Sequence, residues 1–262
     1  MVHFLPFLNK NRPPMRIYKR FSLEGANFRI CSTHIQPIQA EIKQQRSTLI
    51  DYIHRHPQFM DALAPIQLLK NPPEIVKQMD IASRKVGIGP MASVAGIMAQ
   101  LAAKAGLEAG ATEAIVENGG DIYLHSEQEV IIGIYAKGSS LSGKLAYLLK
   151  PAQMPISICS SSSQMGHSLS FGNCNLATVF AKNAALADAA ATYTCNSVKN
   201  QDDVNPVLEE IVNIQGISGI LIIKDDHIGL VGEVPELVKI ADFQLADKIT
   251  MDKQSSHTIC LN

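Results

Sequence analysis

The chain lacks any run of 18 apolar residues, so no transmembrane helix is expected from it. It lacks a basic patch: 23 Lys and Arg against 24 Asp and Glu leave a formal net charge of -1, which argues against nucleic acid as a partner. Its cysteines, Cys31, Cys159, Cys174, Cys195 and Cys260, are odd in number and show no CxxC spacing. That excludes the usual pattern of a structural zinc site or a disulfide framework. No GxSxG elbow is present, which removes the main sequence support for a hydrolase nucleophile. The apolar run within MVHFLPFLNKNRPP is cut by Pro6, with no basic region before it and no small-residue cleavage site after it. Residues 1–14 are therefore expected to be an extension rather than a signal peptide, and the protein to be cytoplasmic.

What the chain does have is apolar content, 46% over 262 residues, ample for a core. Met15–Ser22 and Ala26–His34 read as strands around a Leu23-Glu24-Gly25 turn. Pro37–His56 carries Ile38, Ile42, Leu49 and Ile53 at helical spacing, and Pro57 stops it. Pro72-Pro73 opens a helix over Glu74–Lys85. Pro90–Ala105 is a helix whose Ala92, Ala95, Gly96, Ala99 and Ala103 form a small-residue stripe, which lets another backbone come close. Strands follow at Ala114–Glu117, Ile122–His125, Val130–Ala136, Ile156–Ser160 and Ala177–Ala181. Helices are expected at Ala184–Val198 and Val204–Ile214. Gly219–Lys224 and Ile228–Val231 form a hairpin around Asp225-Asp226-His227. Strands and helices cluster rather than alternate, which predicts an α+β fold with antiparallel sheet packed against helices.

Four segments concentrate polar chemistry. Gly87-Ile88-Gly89-Pro90 sits where a loop enters a helix, and free N–H groups at such a point favour anions. Gly89 there either lets a ligand approach or simply starts the helix. Glu117-Asn118-Gly119-Gly120-Asp121 reads equally as a hairpin turn or a ligand loop. Ser160, Ser161, Ser162 and Ser163 run into Gln164-Met165-Gly166-His167-Ser168. Hydroxyls and N–H groups of this kind suit phosphate oxygens, with His167 a candidate acid or base, or the segment is a serine-rich surface loop. Asp188 and Thr192 lie four apart with alanines between them, on one helix face. A carboxylate in apolar surroundings wants a partner or a cation, and an Asp–Thr pair with a ligand phosphate suits Mg2+.

These pieces in this order resemble the ApbE-like superfamily, whose founding members are FAD:protein FMN transferases, and more closely its smaller uncharacterised-protein-family branch. The matching segments are RSTLIDYIHRHPQF, VGIGPMASVAGIMA, AIVENGGDIYL, the serine loop with GHSLSFG, and TVFAKNAALADAAAT followed by Asn196. The resemblance spans roughly residues 15–234, within a domain expected over 15–240 and a tail over 241–262. It implies two T-fold-like halves, with FAD across a cleft and Mg2+ on its pyrophosphate. Asp188 and Thr192 then match the metal-binding pair. Asn118, Gly119, Gly120 and Asp121 match the flavin-nucleotide loop, and the serine loop with His167 matches the segment that closes on the cofactor. Asp121 or His167 would take the proton from an incoming hydroxyl. The stretch GPMASVAG holds no lysine where the transferases carry one, and Cys159-Ser160-Ser161-Ser162 stands where they have Thr-Ser-Gly. The implied partners are a nucleotide-like ligand, a protein acceptor and a second copy of the chain through sheet edges. Three readings stay open: Mg2+-dependent flavin (FMN) transfer, nucleotide binding without chemistry, and a structural protein with an inherited pocket.

Overall fold

The computed structural model describes residues 16–163, 172–240 and 258–260. The chain begins with a hairpin, β1 (Lys19–Leu23) and β2 (Ala26–Ser32). Its two-residue turn holds Glu24 at φ 44° and Gly25 at φ 87°, the twist-matched geometry for so short a link. β1 starts later than expected because Arg16 is engaged elsewhere, pairing with Glu113 at 2.8 Å and Ser126 at 3.2 Å.

Four helices follow. α1 (Ile35–Arg55) buries Ile38, Ile42, Leu49 and Tyr52. The short α2 (Gln58–Asp61) buries Phe59 edge-on against Tyr52. α3 (Glu74–Val86) ends at Gly87, whose φ of 81° is the left-handed cap that glycine supplies most cheaply. The helix expected over Pro90–Ala105 is two pieces: a 3-10 turn, Pro90–Ser93, then α4 (Val94–Glu108). Then come β3 (Ala114–Asn118), β4 (Asp121–His125), β5 (Val130–Ile134), β6 (Leu145–Leu149), β7 (Ile156–Ser161) and β8 (Leu176–Ala181). α5 (Ala184–Ser197) and α6 (Val204–Val212) lead to β9 (Ile217–Lys224), β10 (His227–Gly232), β11 (Glu236–Lys239) and β12 (Thr258–Cys260). No single helix among the described residues is long and apolar enough to cross a membrane.

The strands form an eight-stranded sheet in the order β1-β2-β3-β4-β7-β8-β9-β10 and a four-stranded one in the order β11-β6-β5-β12. Among the described residues, neighbouring strands in both sheets pair antiparallel. Each half of the large sheet is built the same way in sequence: a hairpin, helices, then a second hairpin. Side-chain alternation sets the layers. Val116, Tyr123, Cys159, Val179 and Ile222 face the helices, whereas Ile115, Leu124, Ile158, Phe180 and Leu221 face the smaller sheet. The central strands are buried on both faces, which is why they read in sequence as continuous apolar runs rather than alternating ones.

Candidate functional site

α4 and α5 cross with their N-termini close together. A Cβ on Gly96 would overlap the carbonyl oxygen of Ala184 and lie 2.8 Å from Asp188 Cβ. Glycine is required here, and one member of the small-residue stripe is thus explained by backbone packing. Across this contact Gly96 N–H donates to Asp188 Oδ2 at 2.8 Å. Asp188 thereby satisfies a first-turn donor of α4 from a neighbouring helix, where the helix dipole favours an anion.

The β3–β4 turn reaches the same place. Gly119 and Gly120 are its two central residues, at φ 65° and 112°, between Asn118 and Asp121, which pair across the ladder. The turn and ligand-loop readings are therefore compatible, because this is a tight hairpin aimed at the helix crossing. Asn118 donates from Nδ2 to Ala95 O at 3.3 Å, tying the turn to the start of α4. Gly119 is exposed, and space is open where its Cβ would be. Gly119→Ala is expected to cost about 1 kcal/mol through its positive φ alone. Urea unfolding measures this, and an unchanged midpoint would contradict the turn geometry.

Asp121 and Asp188 are both buried. Burial pushes the Asp121 carboxyl well above the ordinary range, and the Asp188 carboxylate pushes it the same way. Hydrogen bonds from the Cys159 thiol and from Ser160 N–H, at 3.2 Å, pull it back. Asp188 is raised to about 7 by burial, against the pull of the Gly96 and Ala95 N–H groups. The Cys159 thiol lies between these groups and Ala184 O, and burial followed by the two carboxylates holds it well above its usual range. Two carboxylates this costly to ionise form the main electrostatic feature of the site.

The other expected site residues divide. Thr192 is half-buried on α5, one turn beyond Asp188. Gly89 is accounted for by the chain itself: a Cβ there would overlap Ala62 O, so its small size serves packing against the segment after α2. The serine run is split by strand alternation. Ser160 bonds Thr178 at 2.9 Å on the face toward the smaller sheet, and only its N–H reaches Asp121. Ser161 alternates with it and shares the helix face with Cys159, and Ser162 lies buried just past the strand end. His167 lies outside the described residues. Sequence reasoning missed Cys159 and Gln100, whose Oε1 accepts Ala184 N–H at 2.6 Å. Their partners are distant in sequence, so no local spacing marks them.

Among the described residues no group of three or more His, Cys, Asp or Glu side chains could hold a metal ion. Such a donor set does not fit zinc, which takes three or four protein ligands. Asp188 with a hydroxyl a turn away fits Mg2+, which binds one or two carboxylates and completes its shell with water and phosphate oxygens.

The chain matches the family described as AbpE bacteria over residues 30–210. It is 41% identical over 203 residues to a UPF0280 protein of Methanocaldococcus jannaschii, covering 76% of this chain and 82% of that protein. It is 42% identical over 198 residues to a UPF0280 protein of Methanothermobacter thermautotrophicus, covering 74% and 77%. Among solved structures it is similar to the flavin transferase ApbE from Vibrio cholerae, with TM-score 0.54, 12% identity, and coverage of 84% of this chain and 98% of that one. The ApbE protein of Thermotoga maritima gives TM-score 0.53 at 13% identity, over 88% and 99%. At these identities the likeness to the solved structures is one of fold.

Proposed function

We propose that this chain, which belongs to the AbpE bacterial family in its UPF0280 branch, binds a flavin nucleotide with Mg2+ where α4 and α5 cross and passes FMN from FAD to a protein hydroxyl. The observation that carries the reading is the pair of buried carboxylates, Asp121 and Asp188, at converging helix N-termini. A fold keeps such a pair at a cost to its own stability, and a divalent cation would relieve that cost. The Vibrio cholerae protein of like fold is a flavin transferase.

Asp188 and Thr192 would hold the cation, which when bound neutralises phosphate charge and polarises a phosphorus–oxygen bond. The Ala95 and Gly96 N–H groups of α4 are taken by Asp188, so the helix would favour nearby phosphate oxygens through its dipole alone. Gly119, Gly120 and the Asn118 side chain would border the nucleotide, with Ser161 on the same face and the backbone of Ser160 and Ser162 beyond it. Asp121 would accept the proton of the incoming hydroxyl in its ionised form, which burial makes more basic than an ordinary carboxylate. His167 is the alternative acceptor from sequence. The transfer would form a bond from the acceptor oxygen to the FMN phosphorus, break the pyrophosphate bond between that phosphorus and the bridging oxygen, and release AMP with that oxygen.

FAD with Mg2+ is expected to raise the melting temperature by more than the sum of their separate effects. AMP is expected to appear by chromatography when a protein bearing an acceptor threonine is added. The absence of lysine in GPMASVAG favours a second reading, binding without transfer. Under that reading the thermal shift persists and no AMP is released. Absence of any shift with FAD and Mg2+ would contradict both.

A further inference from the structure

The two helices that meet at the site hold each other through a reciprocal exchange. Gly96 N–H donates to Asp188 Oδ2 at 2.8 Å, and Ala184 N–H donates to Gln100 Oε1 at 2.6 Å. Each helix offers its donor at one position and its acceptor four residues later: Gly96 and Gln100 on α4, Ala184 and Asp188 on α5. At that spacing donor and acceptor share a helix face, one turn apart. Gln100 is therefore the counterpart of Asp188 across the contact, an amide where α5 has a carboxylate.

Gln100 is 4% exposed in the middle of an alanine-rich helix, where an apolar residue is the ordinary filling. Local capping does not replace it. Asn183 caps α5 by accepting Leu186 N–H at 2.9 Å, and Ala184 N–H is met from α4 instead. This bond fixes the first residue of α5 against the middle of α4. Asp188 lies one turn further along α5 and Thr192 two turns, so the same bond sets their height against the start of α4.

We infer that Gln100 is a positioning residue for the proposed cation site, acting through α5 on Asp188 and Thr192. This rests on the function proposed above. Replacing Gln100 by an apolar residue leaves Ala184 N–H buried without its acceptor, a cost the chain escapes by shifting or fraying the start of α5. Removing the direct hydrogen-bond partner of a metal ligand typically weakens metal binding about 10–100-fold, and Gln100, acting one helical turn from Asp188, is expected at the lower end of that range. Glutamate keeps the acceptor and adds negative charge, so it is expected to preserve affinity for a divalent cation.

The test uses Mn2+ as the probe, read by loss of the free-ion EPR signal, with the full-length chain in the presence of FAD. Gln100→Met is expected to bind Mn2+ about tenfold or more weakly than the native chain. Gln100→Glu should bind at least as tightly as native. Gln100→Asn, an amide too short to reach Ala184, should behave as Gln100→Met and stands in for it if methionine prevents folding. Leu124→Ala is the stability control, since it empties the core on the opposite face of the large sheet, and it should leave Mn2+ affinity unchanged. Native affinity in both Gln100→Met and Gln100→Asn would overturn the positioning role alone, as would an equal loss in Leu124→Ala. A native chain that binds no Mn2+ would overturn the proposed function together with this inference.

Discussion

Asp188→Asn is expected to raise the melting temperature of the metal-free chain at pH 8 and to abolish the stabilisation that Mg2+ adds with FAD. The amide keeps an oxygen to accept Gly96 N–H, so that bond of the cap on α4 survives, while Ala95 N–H loses its charged acceptor. What it removes is a carboxylate held at about 7, far above the ordinary range near 4. A raised carboxyl favours the folded state most when protonated. Its contribution is complete below the unfolded value and is lost as pH rises through about 7. Asp121 is displaced in the same direction, so its effect has the same sign. At about 1.4 kcal/mol per pH unit, the gain from neutralising Asp188 at pH 8 is on the order of a few kcal/mol. Calorimetry in EDTA from pH 5 to pH 8 measures it, with the variant flatter in pH than the native chain. A variant less stable than native at pH 8 would contradict the burial argument. Retention of the Mg2+ effect would remove Asp188 from the cation site.

Gly96→Ala should lower stability by about 3 kcal/mol, although alanine in an ordinary helix position gains about 1 kcal/mol over glycine. The reversal follows from what the new methyl would meet. Its nearest neighbour is the backbone oxygen of Ala184, which moves only with the whole of α5. Gly106, further along the same helix, is the internal comparison. A methyl there would meet Ile38 Cδ1 and Cγ1 at 2.8 Å, the outer end of a side chain that can change rotamer. Gly106→Ala is therefore expected to cost much less. A loss of about 3 kcal/mol corresponds to roughly 6–12 °C for a chain of this size. Equal melting temperatures for the two variants would contradict the close crossing of α4 and α5. The same displacement separates Asp188 from the start of α4, so Gly96→Ala should weaken Mg2+ binding as well.

The arrangement of the sheet was legible where local chemistry is strong. Glu24-Gly25 and Gly119-Gly120 punctuate their hairpins, Pro57 and Gly87 end their helices, and the apolar runs of β3, β7 and β9 mark strands. β6 and β11 were not read from sequence. They pair with each other in the smaller sheet, and Glu236-Leu237-Val238-Lys239 lacks the length and apolar content that mark a strand without its partner. The buried position of Asp188 was legible because it stands alone among alanines. Other parts of the site depend on contacts that spacing does not encode. Gln100 meets Ala184 from 84 positions away, and Ser160 N–H meets Asp121 from 39. Gly89 shows the converse: the sequence marks a place where something comes close, and that neighbour is Ala62 of the same chain. The serine run looked like one surface until the period of the strand divided it between two faces.

In the proposed function, one site couples a flavin nucleotide to a divalent cation through Asp188. Calorimetric titration of FAD into the native chain and into Asp188→Asn at pH 8, with and without Mg2+, tests it most directly. Mg2+ is expected to tighten FAD binding about tenfold or more in the native chain and to leave binding to the variant unchanged. FAD binding that ignores Mg2+ in the native chain, or that responds to Mg2+ equally in both, would contradict it.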